Sequence, residues 1–240
     1  MRLALVTGAA GQIGARLTAR FAEAGYAVVG LDVVAADGIL ACDITDPAAV
    51  RAAVDAVVAE HGRVDVLVHN AGISAIGRFE DHGVDTHERV LAVNYLGPVA
   101  LTQAALPALR EARGRVVVIG SVAGFAPVLG RPAYVGAKHA VTGLFEALRP
   151  ELARDGVGVT LVHPTFVTGG MGEAAERAEG RERATTGAEI TADDVARAVV
   201  EAVAAGRDRV LVGRTARLSW HVSRLAPRLY VRLMTRRLEA

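Results

Sequence analysis

The chain has 240 residues, 52% of them hydrophobic, with 27 basic and 26 acidic side chains and a formal net charge of +1. That length supports one substantial core. The near-neutral charge makes no case for nucleic acid as a partner, and the single cysteine, Cys42, excludes an internal disulfide. No apolar run approaches the roughly 18 residues of a spanning helix and no leader precedes the first strand, so a cytoplasmic location is expected.

Leu3 to Val6 predicts a buried strand, followed by the turn Thr7-Gly8-Ala9-Ala10-Gly11-Gln12-Ile13-Gly14 and a helix with apolar residues at Leu17, Phe21 and Ala24. This is the order a dinucleotide site needs. Glycines let the backbone approach a pyrophosphate, and the amides and dipole of the helix N-terminus meet its charge. The helix stops at Gly25, and a second strand, Ala27 to Leu31, leads to Asp32. A carboxylate there accepts hydrogen bonds from ribose hydroxyls and repels a 2′-phosphate, which favours NAD(H) over NADP(H).

Asp46 and Pro47 open a helix to about His61 in the order of cap and first helical residue. Val64 to Val68 reads as a strand, and a long helix is expected from Asp85 to Glu111. His82 and His87 lie five residues apart and do not share a helical face, so no metal site is expected. Strand Arg115 to Gly120, helix Ala133 to Ala153 and strand Val157 to His163 follow. Thr191 caps a further helix through Ala205, and Val210 to Val212 is a last short strand. With one strand at Cys42 this makes seven, and their alternation with helices predicts a doubly wound parallel α/β sheet. Residues 1–213 are expected to form one domain, with 214–240 as a helical extension.

Tyr134 and Lys138 form a Y-x-x-x-K step, and Ser121 lies upstream at the end of an apolar run. On a helix the tyrosine and lysine share one face. A phenol with a pKa near 10 is a poor acid or base at neutral pH, and moving it by two units needs about 2.7 kcal/mol, which a neighbouring ammonium can supply. Ser121 is placed to offer its hydroxyl to the substrate oxygen that Tyr134 protonates. In isolation the step is weak and more often marks a half-buried tyrosine beside a solvated lysine.

Taken with the glycine turn, these residues resemble the compact branch of the short-chain dehydrogenase/reductase family, from Leu3 to about Met171. The resemblance implies a Rossmann-type fold, an oxidoreductase acting between a secondary alcohol and a ketone, and a homodimer or homotetramer. It implies dinucleotide contacts from Thr7, Gly8, Gly11, Gln12, Ile13, Gly14 and Asp32. Asp43 and Ile44 resemble the segment that meets the adenine, and Asn70, Ala71 and Gly72 match an N-N-A-G step in which His69 replaces the first Asn. Asn94 matches the asparagine that holds a water in a proton relay, completing a tetrad with Ser121, Tyr134 and Lys138. Lys138 is further implied to bind the nicotinamide ribose, with Pro164, Val167 and Thr168 around the nicotinamide. Gln12 stands where the compact branch has a glycine, and Thr165 follows Pro164 where glycine is common. Two other readings stay open: a non-catalytic dinucleotide sensor or scaffold, and an epimerase or dehydratase.

The implied pocket includes Ser121, Phe125, Val128, Leu129 and Phe166, which suit a hydrophobic alcohol or ketone. Between Gly169 and Glu189 the chain is rich in charge (Glu173, Glu176, Arg177, Glu179, Arg181, Glu182, Arg183), which suits equally a solvated loop and a lid hinged at Gly180 and Gly187. Residues 214–240 carry seven arginines against one acid, with Leu218, Val222, Leu225, Leu229 and Leu233 at helical spacing. Such a helix packs on its own protein or a second subunit, or lies on an anionic membrane.

Overall fold

The computed structural model describes residues 1–169, 171, 180 and 188–235. Among them, seven parallel strands form one sheet: β1 (Leu3–Thr7), β2 (Ala27–Asp32), β3 (Ile39–Ala41), β4 (Val66–His69), β5 (Arg115–Ile119), β6 (Gly158–Pro164) and β7 (Arg209–Val212). Their order is β3-β2-β1-β4-β5-β6-β7. Successive side chains of a strand point to opposite faces. Leu3 and Leu5 therefore join one core layer, Ala4 and Val6 the other. Both faces are covered, which is why these strands read as unbroken apolar runs rather than alternating ones.

One layer sits under α2 (Pro47–His61), α4 (Gly97–Ala112) and α5 (Pro132–Ala153), where Val50, Val54, Leu101, Leu109 and Phe145 meet the sheet. The other sits under α1 (Gln12–Glu23) and α6 (Ala192–Ala204), where Leu17, Phe21, Val195 and Val199 do the same. Each fully buried side chain of this size contributes about 1.5–3 kcal/mol. Strand order reverses direction between β1 and β4, and the crevice at their carboxyl ends is where an open α/β sheet holds its ligand.

Several boundaries differ from the sequence reading. β3 ends at Ala41, before Cys42, and β4 starts at Val66 rather than Val64. The long helix expected from Asp85 is α3 (Val84–Leu91) and α4, joined through a π turn at Ala92–Leu96. Asn94 explains the turn. Its Nδ2 donates to the Val90 carbonyl four residues back, at 2.9 Å, and so competes for the acceptor that a regular α-helix gives to the Asn94 amide. The C-terminal segment is not one helix but two, α7 (Arg214–Leu225) and α8 (Pro227–Thr235). Pro227 has no amide hydrogen, and Ala226 before it leaves helical geometry, at φ −142°.

Candidate active site at the carboxyl ends of the strands

The glycine turn is fastened to β4. The Thr7 hydroxyl donates to the Val68 carbonyl and accepts from the amides of Asn70 and Ala71, both at 3.0 Å. In return the Asn70 side-chain amide donates to the carbonyls of Thr7 and Gly8, each at 3.0 Å. Gly8 has φ +65°, and a Cβ on it would sit 2.8 Å from Ala71 Cα; a Cβ on Gly14 would sit 2.0 Å from the Gly8 oxygen. These two positions accept only glycine. Gly11 caps α1 without a side-chain bond, so the first helical amides remain directed at the crevice. Ile13 packs its side chain into the core layer beneath α1. Gln12 is exposed and lies across the crevice against Gly169, where an added Cβ would be 3.0 Å from both its Oε1 and Nε2.

Asp32 ends β2, and its carboxylate accepts from the Ala10 amide of the turn at 3.0 Å. Asp43 accepts from the amide and hydroxyl of Thr45, at 2.9 and 2.7 Å, which holds its pKa below the usual carboxylate range. Ile44 sits in the core, where its side chain leaves no room for a Cβ on Gly97.

Opposite this wall, Ser121 follows β5 and caps a single 3-10 turn, accepting from the Ala123 amide at 3.1 Å. Gly124 of that turn lies flush on α5, since a Cβ there would be 2.5 Å from Thr142 Oγ1. The close approach brings the Ser121 hydroxyl near enough to Tyr134 to favour the phenolate, against the burial that opposes it. Lys138, one turn along α5, donates from Nζ to the Ile119 carbonyl at 2.9 Å. Asn94 is buried and fixed by its Nδ2 to the carbonyls of Ile73 and Val90, which leaves its Oδ1 without a partner among the described residues. That oxygen would be 2.6 Å from a Cβ on Gly72, and Lys138 Nζ 3.7 Å from the same point. The structure thus gathers Gly72, Asn94, Ser121, Tyr134 and Lys138 into one cluster.

One electrostatic expectation is corrected. Burial pushes the Tyr134 pKa up from its ordinary value, and the opposing influences are the Ser121 hydroxyl and the Arg131 guanidinium, not Lys138. Lys138 Nζ stands 5.6 Å from the centre of the Tyr134 ring, and burial lowers its own pKa to about 8.

Phe166, Val167 and Thr168 run beside Ile190, with Thr168 donating its amide to the Ile190 carbonyl and Ile190 its amide to that of Phe166. Pro164 ends β6. Thr165 donates its amide to Val212 and turns its methyl toward Gly213, which explains why a side chain is tolerated where glycine was expected. Phe125 sets its ring against His163 and Trp220, at 5.2 and 4.9 Å, and Leu129 is half-buried in the same loop. Of the expected lid, Glu173, Glu176, Arg177, Glu179, Arg181, Glu182, Arg183 and Gly187 lie outside the described residues, while Gly180 has φ +62°.

Several residues near the site escaped the sequence reading. Arg131 is buried at the start of α5, its guanidinium 5.5 Å from the Phe166 ring centre. The available signal was a lone charge directly before Pro132 in an apolar stretch. Trp220 of α7 is flanked by Arg209 and Arg224, and Tyr230 of α8 donates to the Pro127 carbonyl at 3.3 Å, so both C-terminal helices back the Ser121 loop. Two histidines near the site, His69 and His163, are buried, and burial keeps both uncharged at neutral pH. His69 bonds Thr102 at 2.8 Å, with its pKa pushed down to about 3, and His163 bonds the Ser121 carbonyl at 3.0 Å, with its pKa at about 4. A separate groove of about 760 Å³, lined by Arg2, Asp65, Arg115 and Glu146 among others, opens at the amino ends of the strands and is remote from this chemistry.

Fold and crevice define a dinucleotide-binding α/β protein. The family model for short chain dehydrogenases matches residues 2–180. The chain belongs to the short-chain dehydrogenase/reductase family, a family of oxidoreductases. It is 34% identical over 205 residues to dehydrogenase/reductase SDR family member 7B of Rattus norvegicus, an alignment covering 83% of this chain and 63% of that protein. A short-chain dehydrogenase/reductase from Burkholderia phymatum, solved in complex with NAD, superposes with a TM-score of 0.79 at 26% identity, covering 93% of this chain and 94% of that one. A short chain dehydrogenase from Burkholderia cenocepacia, solved with NADP, shares the fold at a TM-score of 0.83 and 23% identity, covering 98% of this chain and all of that one. A nicotinamide dinucleotide fits the residues present. Gly8 and Gly14 clear the turn, the α1 amides are directed at the crevice, and Gly72 leaves space before Asn94 Oδ1 and Lys138.

Proposed function

We propose that the protein interconverts a secondary alcohol and a ketone on a hydrophobic substrate, with NAD(H) preferred. The carrying observation is the convergence of Asn94 from the π turn, Ser121 from the end of β5, and Tyr134 and Lys138 from α5 beside Gly72. The glycine turn, Asp32, Asn70 to Gly72, Lys138 and the loop from Pro164 to Thr168 would hold the dinucleotide, which when bound supplies or accepts the hydride.

In ketone reduction Tyr134 delivers its phenolic proton to the substrate oxygen, and Ser121 donates a second hydrogen bond to the same atom. Burial keeps the phenol protonated at rest, which is the form a proton donor needs. In the reverse direction the phenol must lose its proton, and the Arg131 guanidinium is the cation that favours the anion, while Lys138 Nζ lies 5.6 Å from the centre of the same ring. Asn94 Oδ1 and the Lys138 ammonium lie on the path by which the proton is replaced. Apolar character is proposed for the substrate because the resemblance to the family assigns Phe125, Leu129 and Phe166 to the substrate pocket. The preference for NAD(H) rests on Asp32 at the end of β2. A cytoplasmic homodimer or homotetramer is part of this reading, with exposed Leu91 and Leu96 as apolar contacts for a second copy.

Oxidation of NADH and of NADPH across a panel of apolar and polar ketones tests the proposal. Turnover with apolar ketones, faster with NADH, is the expected result. Dinucleotide binding without turnover of any ketone would favour the sensor reading instead.

A further inference from the structure

Charge in this chain is divided unevenly. Residues 214–240 hold seven arginines and one glutamate, so this segment carries +6 of a net +1 and the preceding 213 residues carry −5. No carboxylate occurs from Gly213 to Thr235. Arg214, Arg217, Arg228 and Arg232 are exposed, and none has an ion pair among the described residues.

The same two helices expose apolar side chains that the fold leaves uncovered. Inward, α7 and α8 use Ala216, Ser219 and Tyr230 against the Val122 to Ala126 turn. Outward, Leu218 and Leu225 are 64% and 84% exposed, two helical turns apart on α7, and Leu229 and Leu233 are each nearly half exposed on α8. The leucines expected to form one stripe along a single helix are therefore split by the Ala226-Pro227 break. Both helices nonetheless leave leucines among free arginines.

We propose that the outer face of α7 and α8 is a docking surface for an anionic lipid bilayer. Leucines entering the acyl boundary and arginines at headgroup level are the chemistry of an interfacial amphipathic helix. An isologous contact with a second copy through this face would set its arginines against the same arginines, with no carboxylate in the segment from Gly213 to Thr235 to relieve them. The inward face holds the helices to the protein, so docking needs no unfolding. Tyr230 and Trp220 also back the loop of Ser121 and Phe125, which places the docked surface next to the proposed substrate approach. Docking itself does not depend on the catalytic reading.

The test is cosedimentation of the intact chain with phosphatidylserine-containing vesicles and with neutral phosphatidylcholine vesicles, at low and high salt, alongside measurement of oligomeric state. Retention by the anionic vesicles, weakened by salt, is expected. Each arginine near such a surface is worth about fivefold in partitioning, so Arg217→Gln, Arg228→Gln and Arg232→Gln together should lower it on the order of a hundredfold. Leu218→Ser with Leu225→Ser should lower retention while leaving helix content and NADH binding intact, because neither side chain is buried. Lack of retention at low salt would overturn the proposal. So would undiminished retention by the arginine variant, or a dimer that the leucine substitutions dissociate, which would give this face to a second copy.

Discussion

The two walls of the crevice are built in different ways. The dinucleotide wall, from Thr7 to Gly72, is backbone and short side chains: a glycine turn with positive φ, a threonine and an asparagine that bond main-chain groups, and glycines where any Cβ would collide. The wall proposed to face the substrate is side chains drawn from distant parts of the chain, with Phe125, His163 and Trp220 in mutual contact and Tyr230 bonded to Pro127. The first kind of wall tolerates few residue types at fixed spacing. Packing volume alone specifies the second, so many residues serve.

The largest effects are expected where the walls meet. Tyr134→Phe should lower kcat at least a hundredfold with NADH affinity nearly unchanged, in the usual range for a general acid. Lys138→Met should lower kcat as much and weaken NADH binding as well, because one ammonium faces both partners. If steady-state kinetics and NADH fluorescence titration show the two variants alike in cofactor affinity, Lys138 belongs to the proton side only.

Gly72→Ala sharpens the comparison by altering the dinucleotide wall where it meets Asn94. Its methyl would press to 2.6 Å from Asn94 Oδ1, so a shift of Asn94 and a loss of kcat of about tenfold or more are expected. Unchanged kcat would show that Asn94 Oδ1 has no part in turnover. Asp32→Ala should shrink an NADH preference of about tenfold in kcat/KM, since no basic residue stands at positions 31 to 36 to hold a 2′-phosphate. Equal use of both cofactors by the unmodified protein would mean that a basic group from elsewhere, such as Arg16, reaches it.

The smallest effect at neutral pH comes from His69. Its folded pKa of about 3 lies below its unfolded value near 6.5, so the unfolded state binds the proton first and stability falls as pH drops through that window. Between pH 7 and 5 the loss is on the order of 2 kcal/mol. His69→Asn, the residue common in the family, should remove about that much of the acid dependence in denaturant titrations. An unaltered pH slope would assign the acid sensitivity to His163.

Legibility followed the same division. The turn from Thr7 to Gly14, the acidic end of β2, and Tyr134 with Lys138 were readable because their function demands particular residues at particular intervals. The π turn was not, because it depends on Asn94 bonding a carboxamide to Val90, and helical periodicity does not register one side chain's partner. Arg131 and Trp220 were missed because neither spacing nor composition indicates that α5 and α7 converge on the Ser121 loop. The tail was legible as basic and amphipathic but misread in form, since the Ala226-Pro227 break turns one helix into two and directs Tyr230, not the leucines, inward.

The central claim is that Ser121 and Tyr134 act together on one substrate oxygen. Single-turnover reduction of an apolar ketone under saturating NADH should be measured for Ser121→Ala, Tyr134→Phe and the double variant. Groups that act as a unit are non-additive, so the double variant should be within about threefold of Tyr134→Phe alone. If the two losses instead multiply, the hydroxyls act independently and the shared-oxygen geometry is wrong.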